Sequence, residues 1–431
     1  MSEPSPTDRN EPFKAPVGTR DVLPPESARW QALISSFATS VGRAGYGLVQ
    51  SPMFEDLGVF SRVGEGTDLV RKEMYDFVDK GDRHLALRPE GTASIARAFV
   101  QHRPSLPWKV WYAAPSFRYE RPQAGRYRQH HQLGVEAIGS DDPDLDVEVI
   151  VLLHDFYRSL GLRRFSLLVN SMGTADDRRR YIADVRAWLS ARAEELDPAD
   201  AAKLADHPLR VLDSKRPRTT EAIVEVPRIT ERLSEAAAER FDRVRVGLTA
   251  AGIDFRVEPR LVRGLDYYTH TTFEFVSDAL DAAQSTIGGG GRYDGLVASL
   301  GGPDTPGIGF GTGIERVLLT CDAEGVFDAP DAAIDVYVVD TTGGASARDL
   351  VTELRRSGLA ADRAFDGRSM KSQMKSADRS GARLVCIVGD DELASGTVTV
   401  RDLRGDGGQS TIARAEAAGA LSERLARQDL P

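Results

Sequence analysis

The stretch that most constrains this chain is a strand, a turn and a second strand with an unusual load of charge on one face. Residues 110–117 are aromatic and apolar, the composition of a buried strand. Beyond the turn, Gln132, Gly134, Glu136 and Ile138 alternate onto one side of the second strand. Arg121-Pro-Gln-Ala-Gly-Arg126 joins them with the Pro and Gly punctuation of a hairpin and two cations. Arg118 and Glu120 share a face by the same alternation, so one sheet surface presents Arg118, Glu120, Gln132 and Glu136 below a basic loop. A solvated face of an ordinary hairpin would carry these groups without further meaning. The aromatic run argues for burial instead, and buried charges need partners or a ligand.

The rest of the chain bears on that choice. At 431 residues it exceeds one typical core, so two or three domains are expected. Hydrophobic content of 41% and charged content of 28% are globular values. No apolar run approaches the roughly 20 residues of a membrane span. Residues 1–16 are polar and Pro-rich without the apolar centre of a signal peptide, and are expected to form a flexible leader. Cys321 and Cys386 lie far apart in apolar segments, as packed free thiols of a reducing cytoplasm would. Seven His and two Cys give no metal-ligand spacing, so no protein metal site is expected. A net charge of −10 disfavours a non-specific nucleic-acid coat. It leaves room for local basic patches at 121–128, 215–218 and 368–379, each of which could equally be solvated surface.

Periodicity places a helix over 25–44, a strand at 48–52 and a hairpin from 73–79 and 84–88. Pro89 is suited to open the next helix, leaving Glu90 and Thr92 at a strand-to-helix junction. Capping by Thr92, with Glu90 complementing the helix dipole, would explain both without a ligand. A helix over 147–160 and a strand over 165–169 follow. Residues 171–252 are rich in Ala, Arg and Glu and broken by four prolines, the pattern of a helical insertion within a larger unit. Strand composition resumes near 255–259 and 267–276, then come a glycine run at 288–295 and another at 307–313 leading into a helix. After a linker at 327–330, strands and helices alternate in a small α/β domain, whose last helix is expected at 411–427.

The glycine runs call for a test of nucleotide motifs. No Gly-Lys dipeptide exists, so there is no P-loop, and neither run has dinucleotide-fold spacing. No Gly-x-Ser-x-Gly elbow is present. What remains is Arg118, Arg263 and Arg316, each beside glycines, strands or a helix start. Guanidinium forks match phosphate oxygens and keep their charge. Phosphoryl and adenylyl transfer rests mostly on positioning and electrostatics, so three arginines with magnesium could carry it. Glu90, Gln132 and Glu136 would form the opposite pole, fit for an ammonium and a polar side chain.

These residues together resemble the histidyl-tRNA synthetase family of class II aminoacyl-tRNA synthetases over nearly the whole chain. Gly18-Thr-Arg-Asp-Val-Leu-Pro resembles the family's opening segment, 45–60 its dimer-forming motif 1, the 117–129 hairpin motif 2 and 307–316 motif 3. More specific are Leu87-Arg-Pro-Glu-Gly-Thr92 and Arg263-Gly-Leu-Asp-Tyr-Tyr-Thr269, the latter similar to the histidine signature. Arg368-Ser-Met-Lys-Ser-Gln-Met-Lys and Gly389-Asp-Asp-Glu-Leu-Ala resemble its anticodon-binding domain. The resemblance implies an α+β fold: an antiparallel-sheet catalytic domain over 17–327 with the insertion at about 171–252, and an α/β anticodon-binding domain over 331–431. It implies activation of L-histidine with ATP and Mg2+, transfer to tRNA(His), a homodimer and a cytoplasmic enzyme without membrane association.

Carried over by motif, Glu90, Gly91, Thr92 and Gln132 would bind the substrate's backbone end, and Glu136 and Tyr268, with Tyr267 alongside, its imidazole. Arg118, Glu120, Arg126, His130, Arg263 and Arg316 would bind ATP; Arg118 would grip the α-phosphate, Arg316 the γ-phosphate, and Arg263 the charge developing at the α-phosphate. Arg121 and Gln123 would face the tRNA acceptor end. One departure stands out: where the family commonly has Phe stacked on adenine, this chain has His130, so ATP affinity or its pH dependence is expected to differ. The nearest alternative is a non-catalytic, synthetase-like regulatory subunit of histidine biosynthesis. That subunit typically lacks the anticodon domain and an intact histidine signature, both of which are present here.

Overall fold

Glycine, rather than a β-branched residue, builds the middle of the main sheet. The computed structural model describes residues 12–64, 69–123, 125–205, 207–212, 214–261, 267–280, 285–330, 334–405 and 408–428, in two compact units, Met1–Asp328 and Ala329–Pro431. The first unit contains β1 (Gly47–Leu48), β2 (Phe54–Asp56), β3 (Asp76–Val78), β4 (His84–Leu87), β5 (Trp108–Phe117) and β6 (Gln129–Ile138). It continues with β7 (Phe165–Ser171), β8 (Phe255–Val257), β9 (Thr269–Ser277), β10 (Thr286–Arg292) and β11 (Gly307–Gly313). Eight of these form one sheet in the order β1-β5-β6-β11-β10-β9-β7-β8, antiparallel except at its two parallel edge pairs. The other three pair as β2-β4-β3.

Register separates the large sheet into two chemically distinct faces. Val135, Phe310, Gly290, Phe273 and Val169 are aligned across five strands on one side. With Leu133, Ile308, Phe275 and Leu167 they meet helices Glu26–Gly42, Pro143–Ser159 and Ile314–Glu324 in the main core. Alternation then forces Gln132, Gly134 and Glu136 of β6 to the other side, with Gly309 and Gly311 of β11 and Gly289 and Gly291 of β10. Sequence propensity offers little hint of β10 and β11, because glycine is depleted in strands. Here the missing side chains hollow out one face while the neighbouring residues keep the opposite face packed.

Several expected elements shift. The helix expected from 147 begins at Pro143, because Asp142 caps it by accepting from the Asp144 N–H at 3.0 Å and Pro143 occupies the first turn. Within the helical stretch, Tyr181, Val185, Leu189, Val211, Ile223 and Ile229 make a small core of their own. Helix Glu235–Ala250 instead sends Phe241, Val244 and Leu248 into the main core, so the separately packed part is shorter than 171–252. Similar composition hides this difference; only the partner surface reveals it.

The second unit contains β12 (Val336–Asp340), β13 (Ala361–Arg363), β14 (Leu384–Val388), β15 (Thr397–Asp402) and β16 (Gln409–Ala413), ordered β13-β12-β14-β15-β16. The first three are parallel and the last two join antiparallel. Helices Ala345–Arg356 and Ala417–Gln428 cover one face and Met370–Arg379 packs on the other. The stretch from 411 therefore opens as a strand, and the closing helix starts at Ala417.

Candidate active site

The hollow over the glycine strands has a carboxylate end and a guanidinium end. Glu136 lies at its bottom, fully buried and directly opposite Gly309. A Cβ at Gly309 would come within 2.6 Å of the Glu136 carboxyl carbon, so only glycine fits beside it. One Glu136 oxygen accepts from the Thr92 hydroxyl and the other from the Tyr293 hydroxyl, both at 2.7 Å. Burial pushes the carboxyl up to about 8 despite those two donors, with neighbouring Glu90 adding to the rise. The acid thus holds its proton through neutral pH.

Glu90, also buried, accepts the N–H groups of Thr92 at 2.6 Å and Ala93 at 2.8 Å. Burial raises its pKa, and those backbone donors oppose the rise. The expected cap is therefore corrected: Gly91 occupies the cap position of helix Thr92–His102, and Glu90 supplies the capping oxygens. Thr92 is released to bind Glu136. A Cβ on Gly91 would lie 2.6 Å from the Tyr112 hydroxyl oxygen, so this junction can approach the sheet only as glycine. Tyr267 and Tyr268 sit with ring centroids 4.7 Å apart, and Tyr267 meets Tyr293 edge-on at 6.1 Å. A phenol-lined box with two carboxyls results.

At the other end is a cleft of about 770 Å³ lined by Arg118, Arg126, Arg316, His130, Gln132 and the glycines of β10 and β11. Arg118 donates through Nε to the Pro89 carbonyl at 2.9 Å, which ties it to the Glu90 junction. Arg316 donates to the carbonyls of Gly125 at 3.2 Å and Thr286 at 2.9 Å. Gly125 stands at φ +68°, the left-handed conformation that glycine adopts without penalty, and so the hairpin turn is brought back over Arg316. Burial, then the charges of Arg126 and Arg118, lower the Arg316 pKa. Arg126 pairs with Glu120. Three cations facing two lining carboxylates, Glu120 and Glu315, one of which is engaged elsewhere, form a site suited to a polyanion.

Neighbouring histidines have opposite roles. His130 shares the cleft face; burial first, then Arg118, His131 and Arg316, push its pKa down to about 3, so its ring is neutral at any working pH. A pH dependence through this imidazole, one of the two expected consequences of the departure, therefore falls away. His131 faces the core side, where Glu315 accepts its backbone N–H at 3.0 Å and its ring meets Trp30 edge-on at 4.8 Å. Gln132 accepts from Ser116 at 3.2 Å and lies between the two ends. Arg121 and Gln123 are exposed in the turn, where Gln123 and Arg126 exchange backbone hydrogen bonds of 3.0 and 2.9 Å. Arg263 lies outside the described residues.

Tyr112 and Tyr293 were not among the sequence candidates. Period-two alternation does place Tyr112 on the face of Arg118, so its signal was present; Tyr293, just past β10, had none. Two arginines prove structural. Arg88 donates to Pro115 O at 2.7 Å and Ser51 Oγ at 2.9 Å, anchoring the β4 end to β5. Arg292 and Asp146, both fully buried, pair within the core, and Asp146 also accepts from Thr271 at 2.6 Å.

An antiparallel sheet with a motif-like hairpin, a glycine floor and an arginine-lined cleft running into a carboxylate pocket defines the catalytic domain of a class II aminoacyl-tRNA synthetase. Comparison with known proteins agrees. The histidyl-tRNA synthetase family model matches residues 18–317, and an anticodon binding domain matches 335–424. A histidine–tRNA ligase of Saccharopolyspora erythraea is 47% identical over 420 residues, covering 96% of this chain and 99% of that protein. The apo histidyl-tRNA synthetase of S. aureus superposes with a TM-score of 0.80 at 34% identity, covering 95% and 99% of the two chains. A Bacillus halodurans protein described as an ATP phosphoribosyltransferase regulatory subunit/histidyl-tRNA synthetase, 21% identical with a TM-score of 0.62, shares the fold. The chain belongs to the histidyl-tRNA synthetase family.

Proposed function

We propose that this enzyme works as a histidine–tRNA ligase, with the hollow over β6, β10 and β11 holding histidine at its carboxylate end and ATP at its arginine end. The observation that carries this reading is Glu136, buried between the hydroxyls of Thr92 and Tyr293 on a glycine floor. A buried carboxyl held by two donors discriminates by hydrogen bonding: a side chain without matching nitrogens leaves its remaining hydrogen-bonding capacity unmet, which is costly. Tyr268 is the second reader of the imidazole, with Tyr267 packed behind it. Glu90, Thr92 and Gln132 receive the α-ammonium, and Gly91 lets their backbone approach.

In the first step a histidine carboxylate oxygen bonds to the α-phosphorus of ATP as the bond to the β-phosphate oxygen breaks, giving histidyl-adenylate and pyrophosphate. Arg118, held beside Glu90, grips the α-phosphate; Arg316 takes the γ-phosphate, and Arg263 stabilises charge at the reacting phosphorus. These groups act by position and charge, which is the main demand of this chemistry. Adenine lies against His130, with Glu120 and Arg126 at its side. ATP enters as its magnesium complex. The lining carboxylates Glu120 and Glu315 are engaged by Arg126 and His131, so phosphate oxygens and water would supply most of the ion's ligands.

In the second step the 3′-terminal ribose hydroxyl of tRNA(His) takes the histidyl group and AMP leaves. Arg121 and Gln123, exposed in the hairpin turn, meet the acceptor end. The residues over 17–327 form the catalytic domain and those over 331–431 the anticodon-binding domain. A homodimer is supported by Phe54 and Phe77, 51% and 41% exposed and packed edge-on at 6.3 Å on the β2-β4-β3 sheet. A cytoplasmic setting is supported by two buried free thiols, and no described helix is long and apolar enough to cross a membrane. Histidine-dependent ATP–pyrophosphate exchange followed by charging of tRNA(His) tests the reading; absence of exchange with histidine sinks it.

A further inference from the structure

One arginine ties the entry segment to the arginine end of the hollow without lining it. We propose that Arg20 is a positioning residue for ATP: lying against the Tyr127 ring, it holds that ring and the return limb of the hairpin in the conformation that receives the nucleotide. This rests on the reading of the cleft as the ATP end and identifies what preforms it.

The brace begins in the backbone. The Gly18 carbonyl accepts the Arg128 N–H at 2.8 Å, and the Arg128 carbonyl accepts the N–H of Arg118, also at 2.8 Å. The entry segment is thus linked, through one residue, to the arginine assigned to the α-phosphate. Gly18 stands at φ +84°, and a Cβ there would lie 2.6 Å from the Arg128 side chain, so only glycine comes this close. Thr19 fixes the turn, its N–H and hydroxyl both donating to the Pro16 carbonyl, at 3.0 and 2.8 Å.

Side chains complete the brace. The Arg20 guanidinium forks onto the Glu26 carboxylate at 2.7 and 2.5 Å, in the first turn of helix Glu26–Gly42. Held there, it lies 5.5 Å from the Tyr127 ring centroid and 5.9 Å from that of Trp30, within reach of cation–π attraction to both. Tyr127 lines the cleft with His130 and Glu315. Trp30, buried, donates to Glu26 at 3.3 Å and meets His131 edge-on, and Glu315 accepts from His131. One cation therefore bears on the cleft wall by two routes, directly through Tyr127 and through Trp30, His131 and Glu315.

Tyr127 needs such a support. The β5–β6 ladder ends at the pair Phe117 and Gln129, so Tyr127 lies beyond the hydrogen bonds of the sheet. A wall in its binding conformation only part of the time weakens binding by that fraction. A ring already held in place avoids that loss.

The test applies histidine-dependent pyrophosphate exchange to full-length wild type, Arg20→Met, Arg20→Lys, Tyr127→Leu and the double variant Arg20→Met/Tyr127→Leu. Arg20→Met keeps an aliphatic stem across the rings and removes the charge, so packing survives. One lost cation–π contact predicts a rise in the Michaelis constant for ATP of about 2- to 5-fold. The constant for histidine and kcat stay at the wild-type level, and Arg20→Lys, with a cation against the same rings, retains the wild-type constant for ATP. In the Tyr127→Leu background Arg20→Met adds nothing further. The proposal is overturned by an unchanged ATP constant in Arg20→Met, by equal rises for ATP and histidine, by a rise shared by Arg20→Lys, or by effects that multiply in the double variant; Arg20 would then serve only the start of its helix. Absence of histidine-dependent exchange in the wild type would instead remove the underlying reading.

Discussion

Tyr293→Phe tests the reasoning about the carboxylate pocket most directly. The ring is fully buried, so Phe keeps its volume and packing and removes only the donor 2.7 Å from Glu136. Glu136 then keeps the hydroxyls of Thr92 and Tyr112 beside it. With the acid protonated below about 8, the lost bond is one between neutral groups, worth about 0.5–1.5 kcal/mol, or about a 2- to 12-fold rise in the Michaelis constant for histidine. Above that pH the carboxylate is ionised and the bond is charge-assisted, worth about 1.5–3 kcal/mol, or about 12- to 150-fold. The ratio of variant to wild-type constants, measured by pyrophosphate exchange from pH 6.5 to 9, cancels the substrate's own titrations. It should climb through pH 8 while the ratio for ATP stays near one. A ratio for histidine that stays flat at one, or one matched by an equal change for ATP, would refute the assignment of Tyr293 to this carboxylate.

The same buried acid gives a stability prediction. Its folded pKa of about 8 lies above the ordinary 4.5, so the folded state retains a proton that the unfolded state loses, and stability falls as pH rises from about 4.5 to about 8. Glu136→Gln, neutral in both states, should flatten the decline of Tm over this window; an identical slope in variant and wild type would show that Glu136 is not protonated there. His130→Phe should lower the Michaelis constant for ATP by about 2- to 10-fold through better stacking, with no change in its pH profile between 5 and 9, and equal constants would remove His130 from the adenine site. The proposed homodimer is tested by Phe77→Asp, which places a charge in the exposed aromatic pair of the β2-β4-β3 sheet. A dimeric wild type and a monomeric variant are expected in sedimentation velocity, whereas a monomeric wild type or an unchanged variant would refute a dimer through this sheet.

How much of this could be read from residue order differs from place to place. The hairpin was legible because β-strand alternation is local: Arg118, Gln132 and Glu136 fall on one face whatever lies around them, and the register bears this out. The small α/β unit and the strand-to-helix junction at Glu90 were legible for the same reason. The same alternation puts His130 with Gln132 and Glu136 and His131 on the opposite face; it did not show that Glu90 rather than Thr92 caps its helix. Strands β10 and β11 were hidden because glycine has no intrinsic preference for strands; its use there is the absence of a Cβ beside Glu136, a demand set by a residue far away in the chain.

Sequence by itself therefore determined the family, the two-unit plan and the polar face of the hairpin, all of which rest on local pattern or on motifs of contiguous residues. Tertiary structure alone decided the chemistry of the pocket. Thr92, Glu136 and Tyr293 are separated by 44 and 157 positions, and their hydroxyl–carboxyl contacts exist only because the sheet brings three chain segments together. The raised pKa of Glu136 has the same origin: desolvation belongs to no single residue, but to everything packed around it.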